Sequence, residues 1–195
     1  FKTNKEIIEI IKNNNINAAV FNSLNPITEF PTVYSDLTEA GYTATKHLIE
    51  NGHKHIAYIG DFDYWNMEKY KGYLEALEKS NIAFNPAYIF KAENENVEIV
   101  NNAINKVLKI SEITAIFFSN DKRAILGIEY LTIMGVGVPD RLSIIGIDNI
   151  LECRFLSPKL SSIDTQFKKQ GEEVIKMLVN SKYTKNCVNK KIKSL

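Results

Sequence analysis

The chain has 195 residues, 45% of them apolar, enough for one large or two small cores and ordinary for a globular protein. Its 24 basic and 23 acidic residues leave a formal charge of +1, which excludes the strong one-sign field of a surface built to hold nucleic acid or membrane. No apolar run reaches membrane-spanning length, no signal-peptide pattern opens the chain, and Cys153 and Cys187 lie too far apart in sequence to suggest a disulfide framework; a reduced, cytoplasmic setting fits.

Thr3-Asn4-Lys5-Glu6 is a capping-box pattern, and Ile7, Ile8 and Ile11 give the apolar face of a short helix. Residues 18–21 read as a strand. A polar loop with Pro26 and Pro31 leads to a second short strand at 32–34. A helix over about 38–51, closed by Gly52, precedes a strand at 55–59. Tyr70, Tyr73, Leu74 and Leu77 share one face of a helix over about 67–79, and its partner strand falls at 87–90. Val97, Val100, Ile104, Val107 and Leu108 mark a helix over 96–110.

The segment 114–149 is the most informative. Residues 114–118 form an apolar run rich in β-formers, the pattern of a strand buried on both faces. Ser119, Asn120 and Asp121 follow at its carboxyl end, and Asn120 or Asp121 is placed to cap the next helix. That helix carries Ala124, Gly127, Ile128 and Leu131, and is stopped by Gly135-Val136-Gly137 with Pro139 beyond. A second apolar strand, 142–147, ends in Asp148-Asn149. A mostly polar segment then reaches Ile163, and a last helix carries Phe167, Gly171, Val174, Ile175 and Leu178. Strands alternating with helices predict an α/β fold with a parallel, doubly wound sheet, where ligands bind beyond the carboxyl ends of the strands. Asn120 and Asp148 are at two such ends.

An aliphatic strand running into Asn120-Asp121, a helix closing on Gly135-x-x-Val138-Pro139-Asp140 and a strand Ile145-Gly146-Ile147-Asp148-Asn149 resemble the effector-binding domain of the LacI/GalR family of bacterial transcription regulators. The upstream run from Gly41-Tyr42-x-Ala44 through Gly52-His53-x-x-Ile56-Ala57 to Gly60, and the downstream Leu160-Ser161-Ser162-Ile163, carry the same resemblance from about Lys5 onward. It implies a two-lobed, periplasmic-binding-protein-like fold, each lobe a parallel sheet flanked by helices. Residues 1–35 and 165–182 would form a partial first lobe, and 36–164 with 183–195 the second; the crossings fall near 35–36, 163–165 and 182–184. The family's DNA-binding headpiece is not in this chain. The function implied is sensing of a small polar effector, a sugar above all, in the cleft between lobes. The family's coupling to operator DNA passes through a homodimer and the missing headpiece.

Asp148 is the leading ligand candidate: a carboxylate at a buried strand's end accepts two hydrogen bonds from vicinal hydroxyls, or else caps the turn that follows. Asn120 both donates and accepts, which suits a hydroxyl, and helix capping is its other reading. Asp121 is assigned to capping alone. Lys69 stands where the family usually has an arginine, as Lys69-Tyr70-Lys71-Gly72-Tyr73; a flexible point charge replaces a planar fork. Trp65, the only tryptophan, is placed as an aromatic platform for a sugar ring or as packing over the helix start. Phe117 reads first as core packing, and the pocket floor is its candidate ligand role. Asn22 and Ser23 end the first-lobe strand, and Thr165 or Gln166 falls where the family often has a glutamine. Asp36, with Glu39 three residues on, reads as a cap. His53 and His55 flank Lys54 without a third metal ligand nearby, so no metal or cofactor is expected. No nucleophile elbow, phosphate loop or metalloprotease motif is present, and no enzymatic activity is expected. The rival reading is the solute-binding protein of a sugar transporter, which shares the bilobed fold.

Overall fold

The computed structural model describes residues 5–22, 30–179 and 189–195. In chain order these form α1 (Lys5–Asn13), β1 (Val20–Phe21), β2 (Thr32–Ser35), α2 (Leu37–Glu50), β3 (Ile56–Gly60) and α3 (Tyr64–Lys79). Next come β4 (Ile89–Lys91), α4 (Val97–Leu108), β5 (Ala115–Phe118), α5 (Asp121–Ile133) and β6 (Ser143–Ile147). The chain continues with β7 (Ser161–Ile163), α6 (Phe167–Val179) and β8 (Asn189–Ile192). It divides into two compact units, Phe1–Asp36 with Gln166–Lys193, and Leu37–Thr165 with Ser194–Leu195. No helix among the described residues is long and apolar enough to cross a membrane.

The larger unit is a five-stranded, wholly parallel sheet in the order β4-β3-β5-β6-β7. Parallel strands need crossover helices, which cover both faces, so the strands read as unbroken apolar runs. Alternate side chains go to opposite faces. Ala57, Ile59, Ile116, Phe118 and Ile144 pack under Val100 and Ile104 of α4 and Ala124, Ile128 and Leu131 of α5. Ile56, Tyr58, Ala115, Phe117, Ile145 and Ile147 pack under Ala40, Ala44 and Leu48 of α2 and Tyr73 and Leu77 of α3.

Side-chain caps fix where the helices start. Asp63 Oδ1 accepts from Asn66 N at 2.8 Å and Asn96 Oδ1 from Glu98 N at 2.9 Å. The Asp63 cap starts α3 at Tyr64, ahead of the expected 67, so Trp65 lies inside its first turn rather than before it. Gly52 (φ 91°) and Gly135 (φ 68°) close α2 and α5 in the left-handed region, as their positions predicted. β4 begins at Ile89, not 87, because Asn85 and Pro86 open a 3-10 turn over Pro86–Tyr88.

The smaller unit holds the parallel sheet β1-β2-β8. Its buried cluster is Val33, Met177 and Ile192, with Ala19 and Val174 against it. Two expectations are corrected here. The tail, expected with the second lobe, contributes β8, which pairs with β2 from Thr32↔Asn189 to Ser35↔Ile192. In α6 the buried positions are Gln170 and Met177, whereas Ile175 is 60% exposed and Phe167 42%. The carboxylate of Asp36 lies 2.5 Å from Lys191 Nζ. Thr3, Asn4, Ser23, Pro26, Cys187 and the crossing expected at 182–184 lie outside the described residues.

Candidate functional site

The carboxyl ends of β3, β5 and β6 collect the polar residues of the larger unit. β5 runs into Ser119 and Asn120. Asn120 Oδ1 accepts from Arg123 N at 2.9 Å and so caps α5, while its amide donates to Glu95 Oε1 at 3.1 Å. Asn120 is therefore the cap, and half-buried. Asp121 is not. It is wholly buried, and its carboxylate accepts from Ser162 Oγ at 2.7 Å, Ile150 N at 3.0 Å and Cys153 Sγ at 3.2 Å.

That carboxylate organises the loop bearing Asp148. Asp148 (φ 121°) and Asn149 (φ 51°) are successive residues in the left-handed half of backbone space, a conformation that costs on the order of 1–3 kcal/mol per residue unless its surroundings enforce it. Here Asp148 N bonds Ile163 O at 3.0 Å, Asn149 N bonds Ser162 Oγ at 2.9 Å, and Asp121 holds both Ile150 N and Ser162. Asp121→Ala leaves those part-buried donors, and the buried Cys153 thiol, without their acceptor. We expect it to lower unfolding stability by about 3 kcal/mol, read from urea melts; a change under about 0.5 kcal/mol would contradict this scaffold role.

Lys69 is buried at 6% exposure. Its ammonium donates to Ser119 O at 2.7 Å and lies 4.0 Å from Asp148 Oδ1, too far for a hydrogen bond. Burial lowers the Lys69 pKa, with Asp148 opposing the shift. Burial likewise raises Asp148 to about 6, with Lys69 opposing and the Asp121 charge adding to the rise. Both members of the pair are thus penalised in their charged forms. Lys69 has lost nearly all its water and Asp148, whose side chain is 26% exposed, part of it, and the 4.0 Å gap leaves both short of a direct ionic hydrogen bond.

Trp65 is half-buried one helical turn ahead of Lys69, on the same side of α3. Phe117 is core packing, the first of its two readings, and its candidacy for the pocket floor is corrected: it is wholly buried, edge-on to Tyr58 with centroids 5.3 Å apart, and offers no surface to a ligand. A sheet covered on both faces sends every β5 side chain into core, so strand position alone cannot mark a pocket floor. The Tyr58 hydroxyl donates to Asn66 O at 3.2 Å, which ties this core to the start of α3. Asn22 is in the smaller unit beside β1, and Thr165 is buried. His53 Nδ1 pairs with Thr114 Oγ1 at 2.9 Å and His55 Nδ1 with the Tyr88 hydroxyl at 3.0 Å.

Sequence reasoning missed Asp121 and Arg123. For Asp121 a signal existed: Gly146 interrupts a buried strand, and a Cβ there would fall 2.2 Å from Asp121 Oδ1. Arg123 carried no such signal: a charged residue in a first helical turn is ordinarily solvated, yet only 4% of it is exposed. At the opposite, amino-terminal edge of the sheet a cavity of about 550 Å³ is lined by His47, Asp140, Ser143, Lys159 and Ser161, among others. His53 also lines it, but Lys69, Asn120, Asp121, Asp148 and Trp65 do not.

Residues 45–193 match the family of periplasmic binding protein-like domains. The HTH-type transcriptional repressor PurR of Aliivibrio fischeri is 38% identical over 146 residues, 72% of this chain and 43% of its own length. The chain spans about half the length of the curated relatives it matches. Among solved structures, the transcription regulator CcpA of Lactococcus lactis superposes with a TM-score of 0.80 at 27% identity, over 98% of this chain and 72% of that one. A LacI family transcriptional regulator from Enterococcus faecium, solved with bound ribose, gives 0.85 at 23% identity over 99% and 73%, a likeness of fold. The carboxyl-edge polar cluster on a doubly wound parallel sheet and these matches agree, and the chain belongs to the periplasmic-binding-protein-like family as an effector-binding domain of the LacI/GalR type.

Proposed function

We propose that this domain senses a small polar metabolite, a sugar, for a cytoplasmic transcriptional repressor, and that Asp148 and Lys69 are the centre of the binding site. One observation carries this reading: a buried ammonium on α3 and a part-exposed carboxylate on a strained loop face each other at 4.0 Å at the carboxyl edge of a parallel sheet. A ligand hydroxyl accepts from Lys69 and donates to Asp148, restoring to both what burial removed. Trp65 adds an aromatic face, and Asn120 contributes its second amide N–H, its carbonyl capping α5 and its first N–H going to Glu95. Relatives of this fold support the ligand class, since one was solved with ribose and a CelR regulator with cellobiose.

Binding shifts the protein only as far as the ligand discriminates between two conformations. Coupling to operator DNA, through a segment outside this chain, and assembly as a homodimer belong to the same proposal. The exposed apolar side chains of Leu151 (62%) and Phe155 (78%) after β6 favour such pairing.

A thermal-shift panel of sugars, sugar phosphates and purines tests the reading, run on the wild type and on Asp148→Ala. A sugar at about 100 times its Kd adds about 2.7 kcal/mol to the wild type and nothing comparable to the variant. Equal stabilisation of both proteins would remove Asp148 from the site.

A further inference from the structure

Arg123 is a second buried cation at the same edge, and the reading so far leaves it unused. It occupies the first turn of α5, where the helix dipole disfavours positive charge. Its Nε donates to Ala92 O at 3.0 Å and its Nη1 to Ser119 Oγ at 3.2 Å. Its Nη2 faces Asp61 Oδ2 at 3.8 Å, again beyond hydrogen-bond distance. Asp61 Oδ1 accepts from Phe62 N at 2.7 Å, which orients the carboxylate without occupying Oδ2. The Arg123 side chain is 5% exposed and that of Asp61 21%.

This repeats the arrangement of Lys69 and Asp148. In each pair a buried cation is anchored on Ser119, one through its carbonyl and the other through its hydroxyl. In each, a part-exposed carboxylate stands opposite, at 4.0 or 3.8 Å. The cations arrive from helices on opposite faces of the sheet, α3 and α5. Asp61 and Arg123 stand at the ends of β3 and β5, where the strand order reverses and a parallel sheet opens a crevice. A hydroxyl oxygen about 2.8 Å from both members of such a pair subtends roughly 90° between them, and it accepts from the cation while donating to the carboxylate. At neutral pH a carboxylate has no proton to donate and a phosphate is mostly without one, and either meets the negative charge of Asp61 or Asp148.

We propose that Arg123 and Asp61 form a second hydroxyl-binding pair beside Lys69 and Asp148, and that the site takes an uncharged, polyhydroxylated ligand gripped through two of its hydroxyls. This rests on the effector-site reading above and names the ligand class that site selects.

Isothermal titration of the full chain, Asp61→Asn and Asp148→Asn tests it. The probes are D-ribose, D-glucose, D-galactose and cellobiose, then ribose 5-phosphate and glucose 6-phosphate, then monodeoxy analogues of the tightest binder. An uncharged sugar binds the wild type, and Asp61→Asn weakens it tenfold or more. One deoxy analogue loses a similar factor on the wild type and nothing further on Asp61→Asn, while a different hydroxyl couples to Asp148 in the same way. Ligand-free melting within a few degrees of wild type excludes misfolding of the variant as the cause. Loss on Asp148→Asn with affinity unchanged on Asp61→Asn, or the absence of any deoxy coupling to Asp61, overturns the second pair and leaves the effector site standing. Binding confined to the phosphorylated sugars overturns the uncharged ligand class. Failure of every sugar, charged or not, removes the effector-site reading along with it.

Discussion

Asp148→Asn is expected to weaken effector binding by about 100-fold while making the ligand-free domain more stable at pH 7.5. The two effects share a cause. The folded protein raises the Asp148 pKa from 3.8 to about 6, mainly by burial, so between those values the native state binds a proton that the unfolded chain releases. Stability therefore falls as pH rises from about 4 to about 6, and the ionised carboxylate then burdens the fold by up to about 3 kcal/mol. Asparagine removes that burden and tolerates the left-handed backbone at this position. It also leaves the Lys69 ammonium without its counter-charge, so the net gain is about 1 kcal/mol, or about 2–4 °C in a thermal melt. At pH 4 the gain disappears. The loss of affinity follows from losing a charge-assisted hydrogen bond, which contributes about 1.5–3 kcal/mol when its acceptor is ionised. Melts at pH 4 and 7.5 with a binding titration separate the two effects; a variant destabilised at both pH values would show Asp148 to be a structural cap instead.

Gly41→Ala and Gly72→Ala are each expected to cost about 3 kcal/mol or more. Helices α2 and α3 cross with their backbones in contact. A Cβ on Gly41 would lie 2.0 Å from Lys69 O, and one on Gly72 would lie 2.1 Å from Thr38 O and 2.5 Å from Tyr42 N. These obstacles are backbone atoms on packed helices, so no side chain can swing aside, and the helices must separate. Separation moves Lys69, whose own carbonyl is the group struck by Gly41→Ala. The melting temperature should fall by about 6–12 °C, and ligand affinity should fall with it. Gly171→Ala in α6 is the control, because a Cβ there meets nothing within 4 Å. It should be neutral or stabilising by up to about 1 kcal/mol through helix propensity. Equal losses at all three positions would sink the crossing argument.

The strands and helices of the larger unit were legible because their burial is two-sided and their caps are local. Val100, Ile104 and Val107 announced α4, and Asn96 and Gly135 marked boundaries within one turn of where the backbone places them. Two short strands were not legible. β7 (Ser161–Ile163) and β8 (Asn189–Ile192) are polar segments whose strand character comes from pairing with neighbours, a tertiary effect that composition does not carry.

The candidate site was legible as positions but not as chemistry. Asp148 and Asn120 stood out because strand ends in parallel sheets are where ligands bind. The burial of Lys69 and Arg123 did not stand out, since each depends on a carbonyl or hydroxyl at Ser119, 50 and 4 residues away. Phe117 and Phe118 are adjacent and both wholly buried, so alternation could not say which faced a pocket; neither does. Asp121 was misread because a capping pattern offers two adjacent acceptors, and only the backbone at Gly146 reveals which one the core needs.

The most direct test of the central claim is a crystal structure of the chain with the tightest-binding sugar from the panel. The account predicts density for that sugar beyond the carboxyl ends of β3, β5 and β6, with one hydroxyl within about 3 Å of both Lys69 Nζ and an Asp148 oxygen. Density instead in the cavity at the amino-terminal edge, beside His47, Asp140 and Lys159, would contradict it and move the effector site to the other end of the sheet.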